Sequence, residues 1–103
     1  MNAMLSRCCT LLFIAATCST HASAQYRDPD QDRSCAQKFG RSQASLTCHM
    51  TSARYFIGGD CQIVASCRTD NGGSKSSAYH GPHDRVVNLC NRNGQLALGC
   101  PPL

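Results

Sequence analysis

The side chains that could support acid–base chemistry in this chain are His49, His80 and His83, with Lys38 or Lys75 beside them. Small, basic, disulfide-rich exported proteins can act as nucleases, with one imidazole as base and another as acid. No spacing in this chain brings those groups together, and the sequence contains no Glu, no nucleophile motif and no phosphate-cradling loop. The expectation is therefore a protein that is not an enzyme. His80-Gly-Pro-His83 has a ligand-like spacing, but Pro82 breaks any helix that would put both rings on one face. Structural zinc sites favour closer cysteine pairs than Cys61 and Cys67, which have five residues between them. Neither a metal nor another cofactor is expected, and both histidines are expected in an exposed loop.

The other reactive residues are nine cysteines, and where the mature chain begins decides how many remain. Arg7 supplies a positive start, Leu11-Leu-Phe-Ile-Ala-Ala16 a short apolar run, and Ala22-Ser-Ala24 a small-residue cleavage site. The run is too short for a bilayer, which takes about 20 residues, so no membrane span is expected. Residues 1–24 read as a signal peptide cleaved after Ala24, and the protein as secreted or periplasmic. A lipoprotein carrying its lipid on Cys18 is the alternative. Cleavage leaves Cys35, Cys48, Cys61, Cys67, Cys90 and Cys100. An even number in a short exported chain reads as three disulfides, and spacing does not choose among the fifteen pairings. So small a domain needs them, because its aromatics are only Tyr26, Phe39, Tyr55, Phe56 and Tyr79. Without Arg7 the net charge is +3, spread along the chain in no block, which gives no argument for nucleic acid.

The elements that must position these residues read as short strands. Residues 25–33 are polar, contain Pro29 and suit a flexible lead-in to a domain over 34–103. Ser34 to Gly40 fits either a short helix with Ser34 as N-cap and Gly40 past its end, or a strand and turn. Ala44 to Cys48 alternates and predicts a half-buried strand with Ala44, Leu46 and Cys48 inward. Ala53 to Ile57 predicts a second strand, ended by Gly58-Gly59. Gln62 to Arg68 predicts a third, with Ile63, Ala65 and Cys67 on one face and Val64, Ser66 and Arg68 on the other. Asp70-Asn-Gly-Gly73 turns the chain into Ser74 to Tyr79. Arg85 to Leu89 and Gln95 to Leu98 flank Asn93-Gly94, a strong hairpin signal because both central residues of a type I′ turn need positive φ. The fold class is all-β, a small disulfide-stapled domain of short antiparallel strands and hairpins.

Ala65-Ser-Cys-Arg-Thr-Asp-Asn-Gly-Gly-Ser-Lys-Ser-Ser77 places a cysteine strand, a polar segment, a Gly turn and a Ser-rich strand in one order. Leu89-Cys-Asn-Arg-Asn-Gly-Gln-Leu96 adds an aliphatic residue followed by N-x-N-G-x-L, and Ser34-Cys35 with Ala44-Ser-Leu-Thr-Cys48 adds two cysteines about a dozen residues apart. Together these resemble the repeat of the cyanovirin-N family, from Ser34 to Leu98. The first repeat is shortened between Cys48 and Cys61. Cys61, Cys90 and Cys100 exceed one bridge per repeat, and Arg92 stands where the family usually has an aliphatic residue. The resemblance implies a cyanovirin-N-like fold and a non-catalytic module for glycans, typically mannose-rich. Carried over by position, it implies ligand contacts at Arg68, Thr69 and Asp70, at Asn91, Arg92 and Asn93, and at Arg33 and Ser34. Such residues match the mixed donors and acceptors of sugar hydroxyls, while ordinary turn chemistry explains the same letters.

The partner expected on this basis is a glycan or cell-surface polysaccharide. The rival is a protein partner, bound or inhibited by a stapled interaction module that presents a loop such as His80 to His83. A monomer is one expectation. The shortened repeat makes a strand-exchanged dimer the other.

Overall fold

A computed structural model describes residues 26–103. The signal-peptide reading of residues 1–24, its cleavage site and Cys18 lie outside the described residues. The described residues form one short helix, α1 (Asp32–Gly40), and five strands: β1 (Cys48–Phe56), β2 (Asp60–Arg68), β3 (Ser74–Pro82), β4 (Leu89–Arg92) and β5 (Gln95–Leu98). Strands β1, β2 and β3 make an antiparallel sheet in that order, and β4 and β5 make a separate hairpin. This is the small, disulfide-stapled, antiparallel β domain that the sequence implied.

The alternation of β2 organises the rest. Cys61, Ile63, Ala65 and Cys67 are fully buried, as their period of two predicted. Against them pack Cys35 and Phe39 from α1, Ala44, Val86, Leu89, and Leu96 of β5. The opposite face of β2 pairs its polar residues across three strands: Ser66 lies between His49 and Ser76, and Gln62 between Arg54 and His80. Thr51 is the extra residue of a bulge between Met50 and Ser52, which keeps both halves of β1 in phase with β2. All six cysteines of the domain are bridged, as Cys35–Cys61, Cys48–Cys67 and Cys90–Cys100. The first joins α1 to the sheet, the second joins β1 to β2, and the third ties β4 to the C-terminal segment.

Several local expectations are corrected. Residues 34–40 are helical, but α1 begins at Asp32, with Ser34 inside it and Gly40 as its last residue. The start shifts because Asp28 first caps a 3₁₀ turn over Pro29–Gln31, its Oδ1 accepting from the Asp30 N–H. Asp32 then accepts the Tyr55 N–H (2.8 Å) and pairs with Arg27 (2.9 Å). The lead-in is likewise held: Asp28 N–H donates to Tyr55 O, and Ile57 N–H to Tyr26 O. That pairing covers one end of the β1 edge. Ala44 is buried as expected, but Gln43–Leu46 form a 3₁₀ turn and Leu46 is 67% exposed. Ser42 and Ser45 turn the chain there by donating to Phe39 O (2.6 Å) and Ser42 O (2.7 Å), local bonds that compete with a strand ladder.

His80 and Pro82 belong to β3 rather than to a loop, and β3 stops where Pro82 can no longer donate. Residues 85–88 lie in a 3₁₀ segment, His83–Asn88, that drops Val86 into the core, so only Leu89 of the expected strand enters β4.

Candidate functional site

The site is built where β2 ends. Arg68 closes the ladder, with its N–H donating to Thr47 O (3.0 Å). The chain then makes a tight turn: Thr69 N–H donates to Gly73 O (2.8 Å), Thr69 Oγ1 lies 2.6 Å from Asn71 Oδ1, and Gly72 takes φ +93°. The second Asn-Gly turn folds beside it. Asn93 and Gly94 adopt φ +53° and +91°, both positive as a type I′ turn requires. Asn91 is the latch between the turns. Its Nδ2 donates to Thr47 Oγ1 (2.8 Å) and Arg68 O (2.9 Å), while its Oδ1 accepts the Gly94 N–H (2.7 Å). Asn93 Oδ1 accepts the Asp70 N–H at 2.9 Å. Residues 68–70 and 91–93 are thereby drawn to one end of the molecule, with Gly94 seated under the Thr69 methyl and the Lys75 stem.

An open groove of about 440 Å³ runs beside these turns. Leu46 and Thr47 border it on one side, His49, Ser66 and Arg68 span it, and Gly72, Gly73 and Ser74 close it. Of the eight residues that the resemblance implied as ligand contacts, Arg68 alone lines this groove. Thr69, Asn91 and Asn93 stand next to it with side chains engaged in holding the turns, and Asp70 is exposed on the turn. The Arg92 guanidinium lies against Gly99. Arg33 and Ser34 sit on the first turn of α1, at the Tyr55 end of the sheet. Tyr55 pairs with Cys61, seven residues before Arg68, which places that end roughly 23 Å away at strand rise.

The sequence reading did not assign His49, Ser66 and Ser74 to a binding site. Ser66 was legible as an outward position of β2. His49 and Ser74 join it only through the register, which aligns His49 with Ser66 and Ser74 with Arg68.

His49 is separated from the other two histidines considered for catalysis. His49 lines the groove opposite Ser66, and His80 pairs with Gln62, four residues from Ser66, or roughly 13 Å along the sheet. His80 stacks on Phe56 (5.3 Å between centroids) with Asp60 3.6 Å from its Nε2. His83 Nδ1 contacts Gly59 O at 3.1 Å, and its ring meets Tyr55 edge-on. Among the described residues no group of three or more His, Cys, Asp or Glu could hold a metal ion, and no helix is long and apolar enough to cross a membrane.

No family model, curated protein or solved structure matches the chain.

Proposed function

We propose that the protein is an exported, non-catalytic carbohydrate-binding module of cyanovirin-N type, with its ligand in the groove beside the two turns. The observation that carries the reading is the convergence of Arg68–Asp70 with Asn91–Asn93. These segments lie 23 residues apart in sequence and are joined by the Asp70–Asn93 bond. Both segments resemble the repeat motif, Arg92 apart, and through the Asn91 bonds to Thr47 and Arg68 they fix one wall of an open groove. Sugars suit such a surface: the hydroxyls of Thr47, Ser66 and Ser74 beside Arg68 and His49, with Leu46 and the bridged Cys48 as the apolar members of the lining. The export reading draws support from three disulfides in so small a domain and from the leader-like residues 1–24. Mannose-type glycans are the class that the family resemblance suggests.

The test is a glycan array probed with the oxidised, thiol-free protein, with Arg68→Gln and Ser66→Ala as variants. Saccharide binding that the variants weaken while circular dichroism stays unchanged supports the reading. A folded protein that binds no saccharide refutes it.

A second reading, capture of a protein partner, is favoured by one observation at the far end of the sheet. Tyr26 and Ile57 are 60% and 58% exposed next to Phe56, an apolar surface that the sugar reading leaves unused.

A further inference from the structure

We infer that the ligand of the groove is an acidic saccharide, one bearing a carboxylate or sulfate among its hydroxyls, and that Arg68 and His49 meet the anion. The inference rests on the carbohydrate reading above and assigns it a ligand class other than the neutral mannose-type glycans that the resemblance suggests.

The argument is an inventory of donors and acceptors. The groove lining holds two nitrogen-bearing side chains, Arg68 and His49, and no carboxylate. The guanidinium carries five N–H donors and no acceptor, and the imidazole offers an N–H in either tautomer. Among the described residues Arg68 makes no ion pair. Asp32 is taken by Arg27 and Asp60 by His80, and Asp70 lies outside the lining. Of the side-chain acceptors beside the wall, Asn91 Oδ1 is occupied by the Gly94 N–H and Asn71 Oδ1 by the Gly73 N–H. The side-chain groups that remain to accept from a sugar are one ring nitrogen of a neutral His49 and the hydroxyls of Thr47, Ser66 and Ser74, and Thr47 Oγ1 already accepts from Asn91. A neutral saccharide offers the guanidinium only uncharged hydroxyl oxygens, while its own hydroxyl protons meet few side-chain acceptors here. A carboxylate or sulfate reverses the balance, because it brings only acceptors to an excess of donors. Charge-assisted bonds of that kind are also the strong ones.

The same lining argues for a saccharide over a single-stranded nucleic acid. Unpaired bases are held by stacking on aromatic rings, and the groove contains no Phe, Tyr or Trp. Leu46, 67% exposed, suits the C–H face of a sugar ring.

The experiment titrates the intact oxidised protein with four probes: a neutral mannose oligosaccharide, an oligouronate, a sulfated oligosaccharide and a single-stranded oligonucleotide. Each titration is run at low salt and near 0.5 M salt. An acidic probe is expected to bind at least tenfold more tightly than the neutral one, and to weaken as salt rises. Arg68→Gln should weaken the acidic probe roughly ten- to a hundredfold, the span expected for a hydrogen bond to a charged group. His49→Gln should weaken it less, and Arg54→Gln, exposed beside Tyr55 toward the far end of the sheet, should leave it unchanged. Preference among the probes and the salt response need no variant, so a variant that folds poorly does not remove the test. Neutral saccharide bound as tightly as acidic, with Arg68→Gln silent, would overturn the inference while leaving the carbohydrate reading intact. Preference for the oligonucleotide would overturn it in favour of a nucleic-acid site, and no binding of any saccharide would end both readings.

Discussion

Substitution of Gly94 separates the two reasons the second turn needs glycine. Gly94 combines φ +91° with a position where an added Cβ would lie 2.8 Å from Thr69 Cγ2 and 2.9 Å from Lys75 Cγ. Gly72 has nearly the same backbone, φ +93°, and nothing within 4 Å of an added Cβ. Gly40 has neither constraint, since it ends α1 without a positive φ and its Cβ would meet open space. The three alanine variants therefore form a graded series. Gly40→Ala should be neutral or stabilising by up to about 1 kcal/mol, the helix-propensity difference. Gly72→Ala should lose about 1–3 kcal/mol, the cost of a strained left-handed residue. Gly94→Ala should lose that and about 1–3 kcal/mol more for overpacking. Urea unfolding followed by far-ultraviolet circular dichroism measures each loss, with an unchanged slope required for comparison. The clash also predicts which second change rescues. The Lys75 stem can swing aside, but the β-branched Thr69 is stiff, so its methyl is the fixed obstacle. Thr69→Ser deletes that methyl and keeps the hydroxyl near Asn71, and it should recover much of the extra loss in a double-mutant cycle. A Gly94→Ala variant within about 0.5 kcal/mol of Gly72→Ala, the ordinary scatter of surface changes, would refute the packing of the two turns described above.

Three further outcomes are expected. Asn91→Ala breaks three hydrogen bonds of 2.7–2.9 Å and should cost roughly 2–3 kcal/mol, two of them being solvent-exposed. Asn91→Asp keeps the acceptor for Gly94 and should cost less, so equal losses by urea unfolding would count against the latch. Paired alanine replacement of each disulfide should rank by loop length. Cys35–Cys61 should be the costliest at about 3–4 kcal/mol, Cys90–Cys100 the least at about 2–3, and the reverse order would defeat the loop argument. Burial, foremost, holds the Tyr79 phenol above its usual value of 10.0; Arg85 opposes the rise, and Asp60 and Asp84 add to it. The native state thus favours the neutral phenol. Its contribution is complete below pH 10 and is lost as pH climbs through the raised native value. Thermal midpoints should fall more steeply above pH 10 for the wild type than for Tyr79→Phe, and parallel slopes would contradict this.

The parts of the fold legible in the sequence were those governed by two strong local rules. The period-two burial of β2 and the positive-φ demand of Asn93-Gly94 were both read correctly, because few alternatives satisfy either. The misread segments, 43–46 and 80–88, lie where hydroxyl-to-backbone bonds and a strand-ending proline compete with the ladder, and local composition does not show which will win. The site divides along a similar line. The letters that make a turn recognisable are Asn, Thr and Gly, and they are recognisable because they bond main chain well or adopt positive φ. Residues chosen for that chemistry spend it on the turn: Asn91 has both ends of its amide bound, and Asn93 holds Asp70. Groups left free for a ligand stand instead at outward strand positions such as His49 and Ser66. Those carry no motif and meet only through register. It follows that loss of binding in Asn91→Ala or Asn93→Ala would report on the scaffold as much as on contact with a ligand. Arg68→Gln is the more discriminating change, because the main chain of Arg68 serves the latch while its side chain lines the groove.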